Sequence, residues 1–290
     1  MILLFVVHVL ILISIYILLA VSLNLVLGYT GRVNLGHVAL FGIGAYTSAL
    51  LYINGIPFVI AFLASGFFAG FSGFVLIFAT KRLKGDYYAL ATLGFSFIVY
   101  SLLLNLTSIT RGPLGIAGIK KPELFGFAIT NNFSYLTFSS IIVLISVFII
   151  WRIVSSPFGI LLGAMRDDET ALKVLGKDTK MLKYKAMGIS AFFAGISGSL
   201  FAHYISFIDP GTFTISEIIL VLTIVIVGGI ASTKGSIVAS AIIVVIPELL
   251  RFLPLPGGIA GPMRQILYSI ILIVLLLYKP RGLFGRIELE

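Results

Sequence analysis

The chain has 290 residues, of which 59% are hydrophobic and only 11% charged, with a formal net charge of +9 and a mean hydropathy of +1.16. A soluble domain carries roughly 45–50% apolar and about 25% charged residues, so this chain lacks the polar surface that a water-facing fold needs. Continuous rather than alternating apolar runs exclude a barrel and leave membrane-spanning helices. The positive charge then reads as basic residues gathered on cytoplasmic connections, not as nucleic-acid binding.

The apolar start from Ile2 has no basic stretch ahead of it and runs too long for a cleavable signal, so it is taken as the first span. Nine segments follow from hydropathy: 2–27, 35–53, 58–80, 87–107, 135–153, 185–207, 215–233, 236–252 and 264–279. The expected fold class is an all-α, polytopic transmembrane helical bundle of about eight to ten spans with a cytoplasmic coupling helix. Between the first two segments, Gly28-Tyr29-Thr30-Gly31-Arg32-Val33-Asn34 is either a plain turn or a break inside the membrane. A break exposes backbone groups that can hold a polar substrate, and Asn34, His37 and Tyr46 would add side-chain partners. The competing reading is a turn with His37 hydrogen-bonded inside the bundle, and both stand at this point.

Placing the tail at 280–290 inside puts fifteen of the twenty lysines and arginines on one side. The other five are Arg111, Lys120, Lys121, Arg251 and Arg264. The asymmetry predicts a cytoplasmic C-terminus, and with nine spans an outer N-terminus.

The largest inner connection spans about 155–184. Ser156 suits an N-cap and Pro157 the first helical position. Leu161, Met165, Leu172 and Leu175 form an apolar stripe, Glu169 precedes Lys173 by four residues, and Gly176 suits a left-handed cap. The pattern predicts one amphipathic helix over 157–175 and a second helix from Asp178-Thr179 into the next span. The charged centre Arg166-Asp167-Asp168-Glu169 favours a cytosolic protein partner over a lipid-lying helix.

Glycines and small residues four apart (Gly66 and Gly70; Ala191, Gly195 and Ser199; Ala194, Gly198 and Ala202) predict close helix packing. Glu217 and Glu248 are the carboxylates most nearly within spans; Arg251 is the expected partner of Glu248, while Glu217 is open to a vestibule role. Residues 108–134 form the longest outer connection and are expected to contact a binding protein or line the entrance. The three histidines, His8, His37 and His203, lack metal-ligand spacing and there is no cysteine, so no metal site is expected. The run Gly229-Ile230-Ala231-Ser232-Thr233-Lys234 lacks the ending of a phosphate loop and reads as a tight interhelical turn.

The run 23–46, with Gly28-Tyr29-Thr30-Gly31-Arg32 and Asn34-Leu35-Gly36-His37 at its centre, resembles the signature of the permease subunits of branched-chain amino-acid ABC importers. Ser156-Pro157-Phe158-Gly159, Arg166-Asp167-Asp168-Glu169 and Leu175-Gly176 resemble that family's coupling loop. Similar matches are Gly85-Asp86-Tyr87-Tyr88 with Thr92, Gly112-Pro113-Leu114-Gly115, Gly228-Gly229-Ile230-Ala231, Pro247-Glu248 and Pro280-Arg281-Gly282. The chain departs from the pattern at Ile160 and Gly163, where arginines are usual, at Arg111, where glycine is common, and at Ser236, where proline is common.

The resemblance implies a single permease domain over 1–290 in a prokaryotic cytoplasmic membrane. It implies transport of branched-chain or related amino acids, no cofactor of its own and no enzymatic activity. ATP would be bound by two ABC-type ATPase partners. A second, paralogous permease and an extracytoplasmic substrate-binding protein complete the implied assembly. The implied ATPase-coupling residues are Pro157, Gly159, Arg166, Asp167, Asp168, Glu169, Leu172, Leu175 and Gly176. The pathway candidates are Asn34, Gly36, His37, Tyr46, Tyr88, Thr92, Gly112, Gly115 and Glu217. The reading from another class is a secondary transporter or channel that works without ATPases.

Overall fold

The structure is a computed structural model that describes residues 2–124, 127–249, 260–278 and 282–285. Its helices are α1 (Ile2–Thr30), α2 (His37–Ile53), α3 (Phe58–Thr80), α4 (Gly85–Asn105), the single turn α5 (Thr107–Thr110), α6 (Asn132–Val154), α7 (Pro157–Asp167), α8 (Glu169–Val174), α9 (Thr179–Ile205), α10 (Ile215–Gly228), α11 (Thr233–Leu249) and α12 (Ala260–Tyr278). Five of these, α1, α3, α4, α6 and α9, are long and apolar enough to cross a membrane. The fold is therefore the expected all-α membrane bundle, and each of the nine apolar segments is a helix. Four two-residue strands pair locally, β1 (Ile116–Ala117) with β4 (Phe207–Ile208) and β2 (Glu123–Leu124) with β3 (Phe127–Ala128). The first pair ties the long connection after α4 to the end of α9.

The centre is α1, α2, α9 and α10, whose facing sides are almost fully buried, while α3, α4 and α6 show phenylalanine, leucine and isoleucine outward. Small residues set the spacing of the inner helices. A Cβ on Gly44 of α2 would lie 2.3 Å from the Gly195 Cα of α9, and one on Gly195 would lie 2.4 Å from the Ser65 oxygen of α3. At Gly198 it would lie 2.1 Å from the Phe41 oxygen. So α2, α3 and α9 touch backbone to backbone, as the small-residue spacing predicts.

Three of the apolar helices that match expected spans are short. α10 has 14 residues and stops at Gly228 rather than 233; α2 and α11 have 17 each. At 1.5 Å per residue α10 is about 21 Å long, less than the ~30 Å apolar core of a bilayer. The turns beside it therefore reach membrane depth, where their backbone groups must be satisfied by protein.

Two local expectations are corrected. The 157–175 segment is two helices, because Asp168 leaves helical geometry (φ −153°, ψ 101°) and its carboxylate accepts from the backbone N–H groups of Thr170 at 2.7 Å and Ala171 at 3.0 Å. An aspartate that can cap outcompetes its own place in a helix interior. Ser156 stands at the N-cap position, but its hydroxyl donates backward to Ile153 O at 2.6 Å instead of accepting a cap bond. The other end signals hold: Pro157 opens α7, Gly176 takes φ +74°, and Asp178 caps α9 through Lys180 N and Met181 N. The expected Glu248–Arg251 pair and most of the tail at 280–290 lie outside the described residues.

Candidate functional site

α1 runs on through Gly28 and ends at Thr30, so the break between the first two helices is 31–36. Gly31 turns the chain at φ +68°. Asn34, fully buried, accepts from Gly36 N at 2.9 Å and directs its amide toward the Met187 sulfur at 3.7 Å. Both backbone groups of Leu35 are taken up by α4: Leu35 N donates to the Thr92 hydroxyl at 3.0 Å, and the Ser96 hydroxyl donates to Leu35 O at 2.9 Å. A Cβ on Gly36 would sit 2.9 Å from Thr92 O, so only glycine permits this approach.

Of the pathway candidates, Asn34, Gly36, His37, Tyr88 and Thr92 thus gather around one break. His37 faces α1, not α4. Because the Ser22 hydroxyl donates to Leu19 O at 2.8 Å, it accepts from His37 Nε2 at 2.9 Å. The side chain is engaged inside the bundle, as in the second of the two readings left open. Tyr88 is buried with its ring under the Arg32 guanidinium, 4.9 Å from the centroid.

The other candidates lie elsewhere. Tyr46 packs edge-on against Phe213, and its buried hydroxyl has no hydrogen-bond partner. Gly112 and Gly115 both turn the chain with positive φ in the α4–α6 connection. Arg111 beside them is also left-handed, at φ +61°, a conformation that glycine adopts without steric cost. Glu217, in the first turn of α10, accepts a hydrogen bond from the Tyr16 hydroxyl of α1.

The coupling segment presses directly on this break. Leu162, Met165 and Leu172 are buried against Leu25, Leu182 and Ala186, so α7 and α8 share a small core with α1 and α9. Gly159 lets α7 fold back on α6, since a Cβ there would lie 2.0 Å from Val154 O. Leu175, expected in the buried stripe, is instead 74% exposed beside Val174 at 85%, because the kink at Asp168 re-aims α8. Ile160 on α7 is also exposed, at 71%.

Arg166 Nη1 donates to Gly28 O at 3.0 Å, while its other nitrogens hold Asp167. Glu169 accepts from Lys183 at 2.6 Å and Lys173 at 2.8 Å, with Arg32 at 4.0 Å. Burial alone would raise the Glu169 pKa, but the hydrogen bonds from Lys173 and Lys183 outweigh it and hold the carboxyl near 2. Three cations from three elements share one carboxylate. Lys183 and the Gly28 carbonyl were absent from the expected site; the pairs join residues 14 and 138 positions apart, and only the glycines at 28 and 31 hinted at close approach.

The second turn, 229–232, lies against the same end of α1. Asn24 donates to Ser232 O at 3.2 Å and Ser236 Oγ at 2.8 Å, and accepts from Ala231 N at 3.0 Å. A Cβ on Gly28 would lie 2.4 Å from Ala231 N. The tail adds Leu283 N to Val227 O at 2.8 Å and Phe284 N to Gly228 O at 3.0 Å. The serine where proline is common, Ser236, is thus used as an acceptor.

A family model described as branched-chain amino acid transport system / permease component matches residues 5–276, and the chain belongs to that family. It is 36% identical over 277 residues to the high-affinity branched-chain amino acid transport system permease protein LivM of Escherichia coli (strain K12), covering 87% of this chain and 64% of that protein. The Salmonella typhimurium protein of the same name gives the same figures. A probable branched-chain amino acid transport permease protein LivM of Methanocaldococcus jannaschii is 26% identical over 259 residues, covering 84% of this chain and 69% of that protein. The chain thus spans 64% of the length of the two bacterial relatives. No solved structure matches it.

Proposed function

We propose that the chain is the membrane-spanning permease subunit of an ATP-driven importer for branched-chain or related amino acids. It sits in a prokaryotic cytoplasmic membrane with its C-terminus inside, as one permease domain. Two ABC-type ATPases supply the hydrolysis, so the chain itself needs no cofactor. A paralogous permease completes the pathway, and an extracytoplasmic binding protein delivers substrate to the end that carries Gly112, Gly115 and the 108–134 connection. Family membership and the names of the relatives support the substrate class.

The observation that carries the mechanism is the clasp between the coupling segment and α1. The exposed apolar side chains of Ile160, Val174 and Leu175 take an ATPase surface. Displacing α7 and α8 pulls on Gly28 through Arg166, and on Arg32 and Lys183 through Glu169. These bonds lead straight to the break where Asn34, Gly36, Tyr88 and Thr92 meet. ATPase closure is thereby converted into a change at the break, alongside any tilt of α6 and α9.

The test is co-purification followed by uptake in vesicles. Two ATPases and a second permease are expected with the tagged chain. Arg166→Ala is expected to leave that assembly intact and to lower ATP-driven uptake about tenfold or more. Solute transport by the chain alone without ATP would instead establish the secondary-transporter reading. Unchanged uptake by R166A would remove the clasp as the transmission element.

A further inference from the structure

α6 and α11 both pack on α1 and leave a groove between them on the membrane-facing side. Its volume is about 640 Å³, inside the ~300–1,000 Å³ range of small-molecule sites. Ile17 forms the floor, Val143 and Val147 one wall, and Ile237 the other. One end is different in kind: Trp151, near the end of α6, and Lys234, in the first turn of α11, stand there together. This is the end of the bundle that carries the coupling segment. No carboxylate lies within ion-pair distance of Lys234 among the described residues.

We propose that this groove binds an anionic phospholipid, with an acyl chain along Ile17, Val143, Val147 and Ile237 and the headgroup phosphate at Lys234. An apolar groove at bilayer depth cannot hold water cheaply, so hydrocarbon fills it. A tryptophan at headgroup level and a lysine above an apolar channel are the two side chains that recognise the lipid interface. The charge favours an anionic over a neutral lipid, because none of the described residues gives the ammonium a counter-ion.

Trp151 is the one tryptophan in the chain, so its fluorescence reports this site alone in the reconstituted full-length chain. The chain, first by itself and then with its second permease, is placed in phosphatidylcholine vesicles. These contain either brominated phosphatidylglycerol or brominated phosphatidylcholine at equal mole fraction. The anionic lipid is expected to quench Trp151 several-fold more strongly at low mole fraction. Lys234→Gln is expected to abolish that preference while leaving quenching by the neutral lipid unchanged. Val147→Phe, which fills the groove, is expected to lower quenching by both lipids. Equal quenching by the two lipids, or a preference that survives K234Q, overturns the headgroup site. Loss of all quenching once the second permease is present overturns it too, and makes the groove a protein interface.

Discussion

The two irregular turns beside the end of α1 solve one problem in different ways. Both must satisfy backbone groups in or near the bilayer. The 229–232 turn is held by Asn24, which donates to Ser232 O and accepts from Ala231 N, and is flanked by an Asn24 bond to Ser236 and by two backbone bonds from the tail to the end of α10. The 31–36 break rests on the Gly36 N bond to Asn34, the Leu35 N bond to the Thr92 hydroxyl and the Ser96 hydroxyl bond to Leu35 O, and is overlaid by the charged clasp of Arg166 and Glu169. The first arrangement is fixed by geometry that has no alternative. The second depends on an ion cluster that a partner can pull apart. The break, not the turn, is therefore where movement is expected.

The sharpest way to break this contrast is at the fixed turn. Gly235→Ala would place a Cβ 1.9 Å from Gly228 O, a clash with backbone that no rotamer relieves. A loss of about 3 kcal/mol or more is expected, read as a collapsed yield or a large fall in thermal midpoint in detergent. Asn24→Ala leaves the half-buried Ala231 N–H without its acceptor and removes the bond to Ser236 Oγ, and should cost about 1–3 kcal/mol. Hydrogen exchange should rise at 229–232 and stay unchanged at 31–36; a rise at both would erase the distinction.

At the break, Glu169→Gln leaves Arg32, Lys173 and Lys183 facing one another without their shared anion. About 1–3 kcal/mol of docking is expected to be lost, seen as faster proteolysis within 155–178 with the spans intact. The pH dependence has a definite sign. The Glu169 pKa in the fold, about 2, lies below its ordinary value of 4.5. Its stabilisation is fully present above about pH 4.5 and is lost as pH falls toward 2. Acid-induced cleavage of the coupling segment should appear in that window for the native chain and be absent as a transition in E169Q. The smallest effect belongs to Thr92→Val, which removes one bond to Leu35 N. A cost of about 1 kcal/mol is expected, with exchange at Leu35 raised and coupling to α7 unchanged.

The spans were legible because hydropathy over some twenty residues is a local property, and so were Pro157, Gly176 and Asp178 as end signals. The Asp168 kink was not. Its carboxylate sits in a charged run that reads equally well as the exposed side of a continuous helix. Only the burial of Met165 and Leu172 against the α1 and α9 side chains separates the two. Asn34 and His37 were placed at the break from the motif, but the meeting with α4 was not, although Tyr88, Thr92 and Ser96 recur at four-residue spacing on its buried face. The clasp joins residues 138 positions apart, and no periodicity carries that information. Tyr46, Gly112, Gly115 and Glu217 belong to other parts of the bundle, so proximity in the candidate set did not mean proximity in space.

The bare contacts of Gly44, Gly195 and Gly198 have a mechanical consequence. Helices separated by side chains can slide, because rotamers act as bearings between them. At these glycines α2, α3 and α9 meet with no such layer, which resists sliding of the three past one another. Lys183 is the point where Glu169 grips α9, on the same helix as the bare contacts at Gly195 and Gly198 that join it to α2 and α3.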